Sequence, residues 1–150
     1  MLQCTAVTTL PRDEALIALV CMEEGPDDAD DHLDEKPYVL CELGEHAEAI
    51  EHAAHLWAAE AEPRSLWFLW ADSGGFRVYH RFVTRITCPV RVHHVEEDYR
   101  QWCAFYDDHP GDHSFNVRDP LRDAYHAQIR SDAQRLFAQD DPDEGNGGKP

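Results

Sequence analysis

The feature that most constrains this chain is a concentration of metal-ligand residue types in residues 103–113. Cys103, His109 and His113 lie within this stretch, and Cys88 precedes Cys103 by fourteen intervening residues. Zinc takes thiolate and imidazole ligands in a tetrahedral arrangement, and a closed shell of four protein ligands is typical of structural sites. These four residues therefore predict a Cys2His2 zinc site that stabilises the fold.

The spacing of these four residues favours a zinc site built on a hairpin over a simple zinc finger. His109 and His113 have the separation that zinc-binding histidines commonly show. Pro110 and Gly111 favour a tight turn that brings the two rings toward one ion. The gap between the cysteines is far longer than the roughly two to four residues of a common finger, so a simple finger is excluded and a hairpin is favoured. The alternative is a buried Cys103 beside solvent-facing histidines in an acidic loop.

Another, weaker ligand pattern lies earlier in the chain, at Cys41, His46 and His52. In one continuous helix His46 and His52 would point about 240° apart, so both can bind one ion only if a helix begins after His46. The alternative is an ordinary amphipathic helix with polar histidines. The pattern leaves three candidates for a fourth ligand, which are Cys21, His32 and His55.

The two patterns resemble each other along the sequence. Tyr38 precedes Cys41 much as Tyr99 precedes Cys103, and a pair of histidines follows each cysteine. The offset between the copies is about sixty residues, which predicts two related half-domains rather than a solenoid, because a solenoid needs more copies.

These segments also resemble a group of proteins. Cys41-x4-His46, Trp67-Phe-Leu-Trp70 and Cys103-x5-His109-Pro-Gly-Asp-His113-Ser are similar to motifs in small uncharacterised actinobacterial and actinophage proteins, which repeat a cysteine and Gly-His-x-Gly-x-His around a Trp-x-x-Trp strand. The resemblance covers roughly residues 38–120. It departs at Glu45, which replaces a glycine, and in the longer gap between His46 and His52. It implies two Cys/His sites and a small mixed fold, and it implies no activity.

Length and composition favour one globular domain at residues 1–139, followed by a disordered tail at residues 140–150 that is rich in Pro, Gly, Asn and acidic residues. The chain has 150 residues and is 43% hydrophobic, without the long apolar run of a membrane span or of a signal peptide. Five cysteines, an odd number, beside ten histidines favour metal ligation or plain burial over a disulfide framework. We therefore expect a cytoplasmic protein without a membrane segment.

Charge is the second strong signal. The chain has 30 acidic and 13 basic residues, for a formal net charge of −17, and residues 1–62 contain 16 of the acidic residues and only 2 of the basic ones. Such a field repels nucleic acid, since nucleic-acid binding depends largely on cationic contacts to phosphate. It fits a basic protein surface, such as that of a nucleic-acid-binding protein. The alternative is that the charge serves only solubility.

The densest acidic stretch is residues 23–36, which we expect to be an exposed or disordered linker. It lacks the glycine at the sixth position that an EF-hand calcium loop requires. Its carboxylates are the candidate partner-binding residues: Asp27, Asp28, Asp30, Asp31, Asp34 and Glu35. Glu48 and Glu51 extend this candidate surface.

Hydrophobic patterning predicts an α+β fold, in which a short antiparallel sheet, built from a hairpin over about residues 65–88, is flanked by about three helices and stapled by zinc. The first helix follows Thr9 and Pro11 and ends near Gly25. The second covers about residues 47–61, from apolar residues at helical spacing. Asp119 caps the third, whose predicted buried stripe is Leu121, Tyr125, Ile129, Ala133, Leu136 and Phe137.

The hairpin itself has clear signals. Residues 65–71 are apolar on both faces, as in a central strand, and residues 72–75 form a turn signal before an alternating strand that ends near Cys88. A short strand is expected at residues 90–95. Trp67 and Trp70 are expected in the core and His80 as a hydrogen-bonded core histidine. Three arginines, Arg77, Arg81 and Arg85, are expected to face the acidic half of the chain; the alternative is that they bind a phosphate or carboxylate.

These features predict a zinc-stabilised acidic protein that acts as a binding or inhibitory module toward a basic protein partner. The alternative is a small zinc-dependent hydrolase that uses Cys41, His46 and His52, because a catalytic zinc keeps an open position for water. Against an enzyme, the chain has no His-Glu-x-x-His, phosphate loop or Gly-x-Ser-x-Gly motif. We therefore assign no catalytic residue.

Overall fold

The computed structural model describes residues 1–139, so the predicted disordered tail at residues 140–150 lies outside the described residues. Within the described residues the fold is mixed α+β, as the sequence predicts, and it contains three small antiparallel sheets and three α-helices. The chain divides into two compact units, Met1–Val117 and Arg118–Pro150. In the part of the chain that the structure describes, no helix is both long enough and apolar enough to cross a membrane.

The largest sheet has three strands in the order β3-β4-β5, with β3 at His52–Ala58, β4 at Arg64–Ser73 and β5 at Phe76–Ile86. The central strand β4 is buried on both faces, and its Trp67 and Trp70 are only 1% and 0% exposed. The predicted central strand, hairpin and tryptophan core are therefore confirmed. Gly74 and Gly75 make the turn with φ angles of 61° and 85°, which glycine adopts without steric cost.

The predicted helix at residues 47–61 is wrong, because this segment contains the edge strand β3. Ala53, Ala54 and Leu56 are buried against the core, and β3 is antiparallel to β4. A register shift between His55 and Trp57 breaks the strict alternation that marks a strand, which leaves apolar residues at spacings that resemble a helix. Pairing with β4 supplies the backbone hydrogen bonds and outweighs the helix propensity of alanine.

Two helices occupy the acidic N-terminal part of the chain. α1 at Arg12–Cys21 is the predicted first helix and buries Ala15 and Leu19. α2 at Ala29–Asp34 lies inside the segment expected to be an exposed or disordered linker, and it buries Ala29 and Leu33. Two apolar side chains among the carboxylates therefore anchor this segment to the core.

Each of the two remaining sheets is a pair of short antiparallel strands. β1 at Val7–Thr9 pairs with β2 at Tyr38–Leu40, and β6 at Arg91–His94 pairs with β7 at Tyr99–Trp102. β6 confirms the short strand expected at residues 90–95. Each pair lies next to candidate metal ligands, since Cys41 directly follows β2 and Cys103 directly follows β7.

The second unit contains α3 at Pro120–Gln139. The backbone N–H of Arg122 donates to Asp119 Oδ1 at 3.2 Å, which confirms the predicted cap. The predicted buried stripe is wrong: Ala133 is half-buried, and the larger side chains of the stripe are 47–84% exposed. In the described part of this unit α3 is the only element, so no second element is present there against which to bury a stripe.

Candidate metal centres

We number the two candidate sites in chain order, so the second site is the one predicted at Cys88, Cys103, His109 and His113. The structure brings its four residues together. The candidate ligand atoms of Cys88, Cys103, His109 and His113 all lie within 4.8 Å of one another. Cys103 Sγ lies 3.4 Å from His109 Nε2, Cys88 Sγ lies 3.6 Å from His113 Nδ1, and the two ring nitrogens are 3.2 Å apart. Zinc bonds of about 2.0–2.3 Å in a tetrahedron place ligand atoms roughly 3.3–3.8 Å apart, so this spacing fits such an ion.

Backbone contacts orient the ligands of this second site. His109 Nδ1 lies 3.1 Å from the Pro110 carbonyl oxygen, a contact that requires Nδ1–H and leaves the lone pair of Nε2 facing Cys103. The N–H of Ser114 points at Cys103 Sγ at 3.4 Å and stabilises a thiolate there. Gly111 has a φ of 74°, so the turn between the two histidines uses the left-handed region that favours glycine.

The first site is also brought together, and it has four members. Cys4, Cys41, His46 and His52 place their candidate ligand atoms within 4.8 Å of one another. Cys4 Sγ lies 3.4 Å from His52 Nδ1, and Cys41 Sγ lies 3.7 Å from His46 Nε2. These separations match those in the second site, so the weaker sequence pattern also corresponds to a cluster of two cysteines and two histidines.

Cys4 corrects the prediction of the fourth ligand, because each of the three residues proposed from the sequence lies elsewhere. Cys21 is exposed at the end of α1. His32 donates from Nε2 to the Leu56 carbonyl oxygen at 3.0 Å, and His55 packs edge-on against Trp67 with ring centroids 5.3 Å apart. Pairing of β1 with β2 brings Cys4 next to Cys41, which sequence spacing alone did not reveal.

In the first site, a carbonyl oxygen orients one histidine, as in the second site, and a carboxylate orients the other. His46 Nδ1 donates to the Ala47 carbonyl oxygen at 3.0 Å, which leaves Nε2 facing Cys41. His52 turns Nε2 toward Asp72 Oδ2, 3.5 Å away, which leaves Nδ1 facing Cys4. Carboxylates and carbonyls behind metal-binding imidazoles fix the tautomer and increase ligand basicity.

In each site, burial favours the neutral form of a cysteine thiol. Burial raises the pKa of the Cys41 thiol to about 12, with a further contribution from the neighbouring Cys4. Burial likewise raises the pKa of Cys88. A metal ion reverses this preference, because its charge deprotonates a coordinating thiol. Burial lowers the pKa of His52, and the charge of His46 lowers it further while Asp72 opposes the change, so the neutral ring that can bind a metal is favoured.

The hydrogen bonds around the paired cysteines are the same in the two sites. In the first, the N–H of Cys4 donates to Leu43 O at 2.8 Å and that of Cys41 donates to Ala6 O at 2.9 Å. Each cysteine thus bonds to the residue two positions after its partner.

The second site repeats this reciprocal pattern. The N–H of Cys88 donates to Phe105 O at 2.9 Å and that of Cys103 donates to Val90 O at 2.9 Å. Each acceptor is again two positions after the partner cysteine. The repeated ligand pattern in the sequence therefore corresponds to a repeated backbone structure.

The strand register extends the repeat in both directions. Val7 pairs with Leu40 as Arg91 pairs with Trp102, each three residues after the first cysteine and one before the second. On the other side of the cysteines, isolated bridges occupy matching positions in the two copies: Gln3 with Gly44, and Thr87 with Tyr106. We name residues 2–52 the first copy and residues 86–113 the second copy.

The copies differ mainly in what joins their strands. In the second copy, β6 and β7 are joined by residues 95–98. In the first copy, residues 10–37 join β1 to β2 and contain both α1 and α2. We name this segment the insertion. It contains all six candidate partner-binding residues, and each of them is exposed: Asp27, Asp28, Asp30, Asp31, Asp34 and Glu35.

Of the three arginines Arg77, Arg81 and Arg85, the first two form hydrogen bonds with the N-terminal half of the chain. Arg81 donates two hydrogen bonds to Glu51, at 2.7 and 3.0 Å, and Arg77 donates to Thr8 Oγ1 at 3.1 Å and to the Thr9 carbonyl oxygen. Arg85 instead lies over the Tyr106 ring, 5.7 Å from its centroid.

His80 is hydrogen-bonded, as expected, and belongs to neither candidate metal site, but it is half-buried rather than part of the core. Its Nε2 lies 2.7 Å from Glu14 Oε2, and its ring packs against Phe68 with centroids 5.5 Å apart.

The donor chemistry and spacing of both clusters are consistent with a metal ion such as zinc. No protein-family model, no curated protein and no solved structure matches this chain. The similarity to actinobacterial and actinophage proteins stays a prediction.

Proposed function

We propose that this protein is a zinc-stabilised acidic module that binds a basic protein surface and regulates or inhibits the protein that carries it. The observation that carries the proposal is the ordered acidic surface of the insertion. Its backbone is anchored by the buried Ala29 and Leu33, so the carboxylates between and beside them have defined positions. A fixed array of charges loses less conformational entropy on binding than a disordered linker.

The charge pairing of this surface supports an external cationic partner. Arg12 pairs with Asp30 at 3.2 Å and with Asp34 at 2.8 Å. Among the described residues, no Lys, Arg or His nitrogen lies within 4.0 Å of the carboxylates of four other members: Asp27, Asp28, Asp31 and Glu35. Opposite charge on a partner accelerates association and is screened over about 10 Å at 0.1 M salt.

Zinc is the metal that we propose for both clusters, since two thiolates and two imidazoles in a tetrahedron suit it. Cys4 supplies a fourth protein ligand in the first site, so the open position that a zinc hydrolase requires is filled. This supports a structural role for both ions. Cytoplasmic location stays part of the proposal, because bare thiolate ligands need a reducing compartment.

The proposal is tested by association kinetics with a defined lysine- and arginine-rich peptide. The triple variant Asp27→Asn, Asp28→Asn, Asp31→Asn should associate at least several-fold more slowly than the wild type, and the difference should shrink as salt rises. The matched control, Glu96→Gln, Glu97→Gln, Asp98→Asn, removes the same charge from the turn of the second copy. Equal rates for the two triple variants would mean that only net charge matters, and tight binding of duplex DNA by the wild type would contradict the proposal.

A further inference from the structure

A cleft of about 400 Å³ lies within the first unit, between the metal-binding loops of the two copies and one face of the large sheet. The loop between His46 and His52 contributes Ile50 and Glu51, and Asp108 and Pro110 flank the ligand His109. Clefts of this size hold small molecules in many proteins. Neither the candidate metal sites nor the acidic insertion uses this space.

Arg85 is the polar group that gives the cleft its chemistry. Its side chain is half-buried, and its guanidinium lies over the ring of Tyr106. In a chain with 30 acidic and 13 basic residues, a carboxylate partner for an arginine is the default expectation. Among the described residues, however, no carboxylate oxygen lies within 4.0 Å of the Arg85 guanidinium, although Glu51 is near enough for their charges to interact.

Two carboxylates, Glu51 and Asp108, also line the cleft. Glu51 accepts two hydrogen bonds from Arg81, and Tyr79 also donates to it. Asp108 is exposed and adopts a left-handed conformation, with a φ of 67°. The cleft therefore presents one unpaired guanidinium against one solvated carboxylate, which disfavours a dianion.

The rest of the lining is apolar or aromatic and includes Ile50, Leu69, Pro110 and Tyr106. A planar guanidinium beside such walls suits a carboxylate attached to an apolar body, because the fork accepts both oxygens while the walls cover the remainder. We propose that this cleft binds a small monocarboxylate with an apolar body, whose carboxylate pairs with Arg85. This proposal does not depend on the proposed partner surface.

The test is a titration of the zinc-loaded wild-type protein with benzoate, followed by NMR of the backbone amides and the arginine side chains. Benzoate should shift Arg85 Nε–H and the amides of residues 49–51 and 106–109, with saturation at millimolar concentrations or below. Benzamide, which has the same shape without the charge, should bind at least tenfold more weakly, and inorganic phosphate should not compete. Equal binding of benzamide, or stronger binding of phosphate, would overturn the proposal.

Two arginine variants separate the cleft from general charge effects. Arg85→Gln should weaken benzoate binding at least tenfold. The control is Arg91→Gln, because Arg91 also lies over an aromatic ring, that of Trp102 at 4.9 Å, but does not line this cleft. If Arg85→Gln disturbs the fold, Ile50→Glu provides a second route, since a carboxylate placed in the cleft should repel the ligand to a similar extent. Unchanged benzoate affinity in a folded variant of either kind would contradict the proposal.

Discussion

The two copies of the cysteine hairpin have the same hydrogen-bond register and different surroundings. The second copy has little structure packed around it: β6 and β7 are joined by a short turn, and every residue of β7 is exposed. The first copy contains the insertion, which buries Ala15, Leu19, Ala29 and Leu33. The same backbone arrangement thus accommodates either a short turn or a segment with two helices between its strands.

This difference also changes what stabilises each copy. The first copy has apolar burial in addition to its candidate metal site, whereas the buried residues of the second are its cysteines and their neighbours Phe105 and Tyr106. We therefore expect the two copies to respond differently to metal loss.

Loss of a metal ligand should have the largest effect. Each of the variants Cys41→Ser and Cys103→Ser should lower the zinc content from two equivalents to about one, since structural zinc contributes about 10 kcal/mol or more to the folding of small peptides. Cys103→Ser should abolish amide protection across β6 and β7, while Cys41→Ser should leave partial protection in α1. Zinc analysis and hydrogen exchange provide the measurement. A metal-free protein with an unchanged thermal midpoint would contradict both sites.

Truncating the buried leucines of the insertion should have the second largest effect. Leu19 and Leu33 are 0% and 3% exposed, so Leu19→Ala or Leu33→Ala should cost about 2–5 kcal/mol in the free energy of unfolding. Zinc content should stay at two equivalents, because the hairpin register does not depend on the insertion. Ile17→Ala is the control, since Ile17 is 63% exposed and its truncation should change stability by less than about 0.5 kcal/mol. Loss of zinc from Leu33→Ala would show that the insertion and the metal site are coupled.

Acid should weaken both copies. The pKa of His52 is lowered by burial, so the unfolded chain binds this proton more readily than the folded chain. The stability that the neutral ring contributes is therefore present above about pH 6.5 and falls as the pH drops, by at most about 1.4 kcal/mol per pH unit for each such group. Zinc should be released in parallel between about pH 7 and pH 5, because protons compete for the ligands. Denaturant titrations with a zinc indicator measure both, and full retention of zinc at pH 5 would contradict the assignment.

The smallest effect should come from the carboxylate behind His52. Asp72→Asn removes a charged partner of the Nε2 side of the ring and should lower zinc affinity at the first site by about 10- to 100-fold, leaving the second site unchanged. Asp98→Asn is a matched control, because Asp98 lies 3.2 Å from His93, which belongs to neither cluster. Competition with a chelator of known affinity resolves the two sites. Equal affinity in Asp72→Asn and the wild type would mean that Asp72 does not support the ligand.

The sequence predicted all four residues of the second cluster, which the structure brings together, because its information is local. His109, the Pro110-Gly111 turn and His113 are close in the chain, and Cys88 lies one short hairpin away. The hairpin of β4 and β5 was equally accessible, since its alternation and its glycine turn are also local signals.

The missed features depend on contacts that are distant in sequence. Cys4 reaches the first site through strand pairing across the insertion, and its only local sign is that a short strand follows it, as one follows Cys88. β3 was taken for a helix because alanine has no strand preference and the register shift hides the alternation. The anchoring of the acidic segment depends on Ala29 and Leu33, two apolar residues in a run dominated by carboxylates.

The order in which the ligands occur along the chain also affects how the protein folds. A metal ion bound at the first site would close a chain segment from Cys4 to His52, and one bound at the second would close a shorter segment from Cys88 to His113. The entropy lost on closure grows with the logarithm of segment length, by about 0.6 kcal/mol for each doubling, so the second site meets the smaller barrier when an unfolded chain refolds with zinc. During synthesis the order of assembly is reversed, because the ligands of the first site emerge from the ribosome before those of the second. Refolding in solution and folding on the ribosome should therefore assemble the two halves of this molecule in opposite orders.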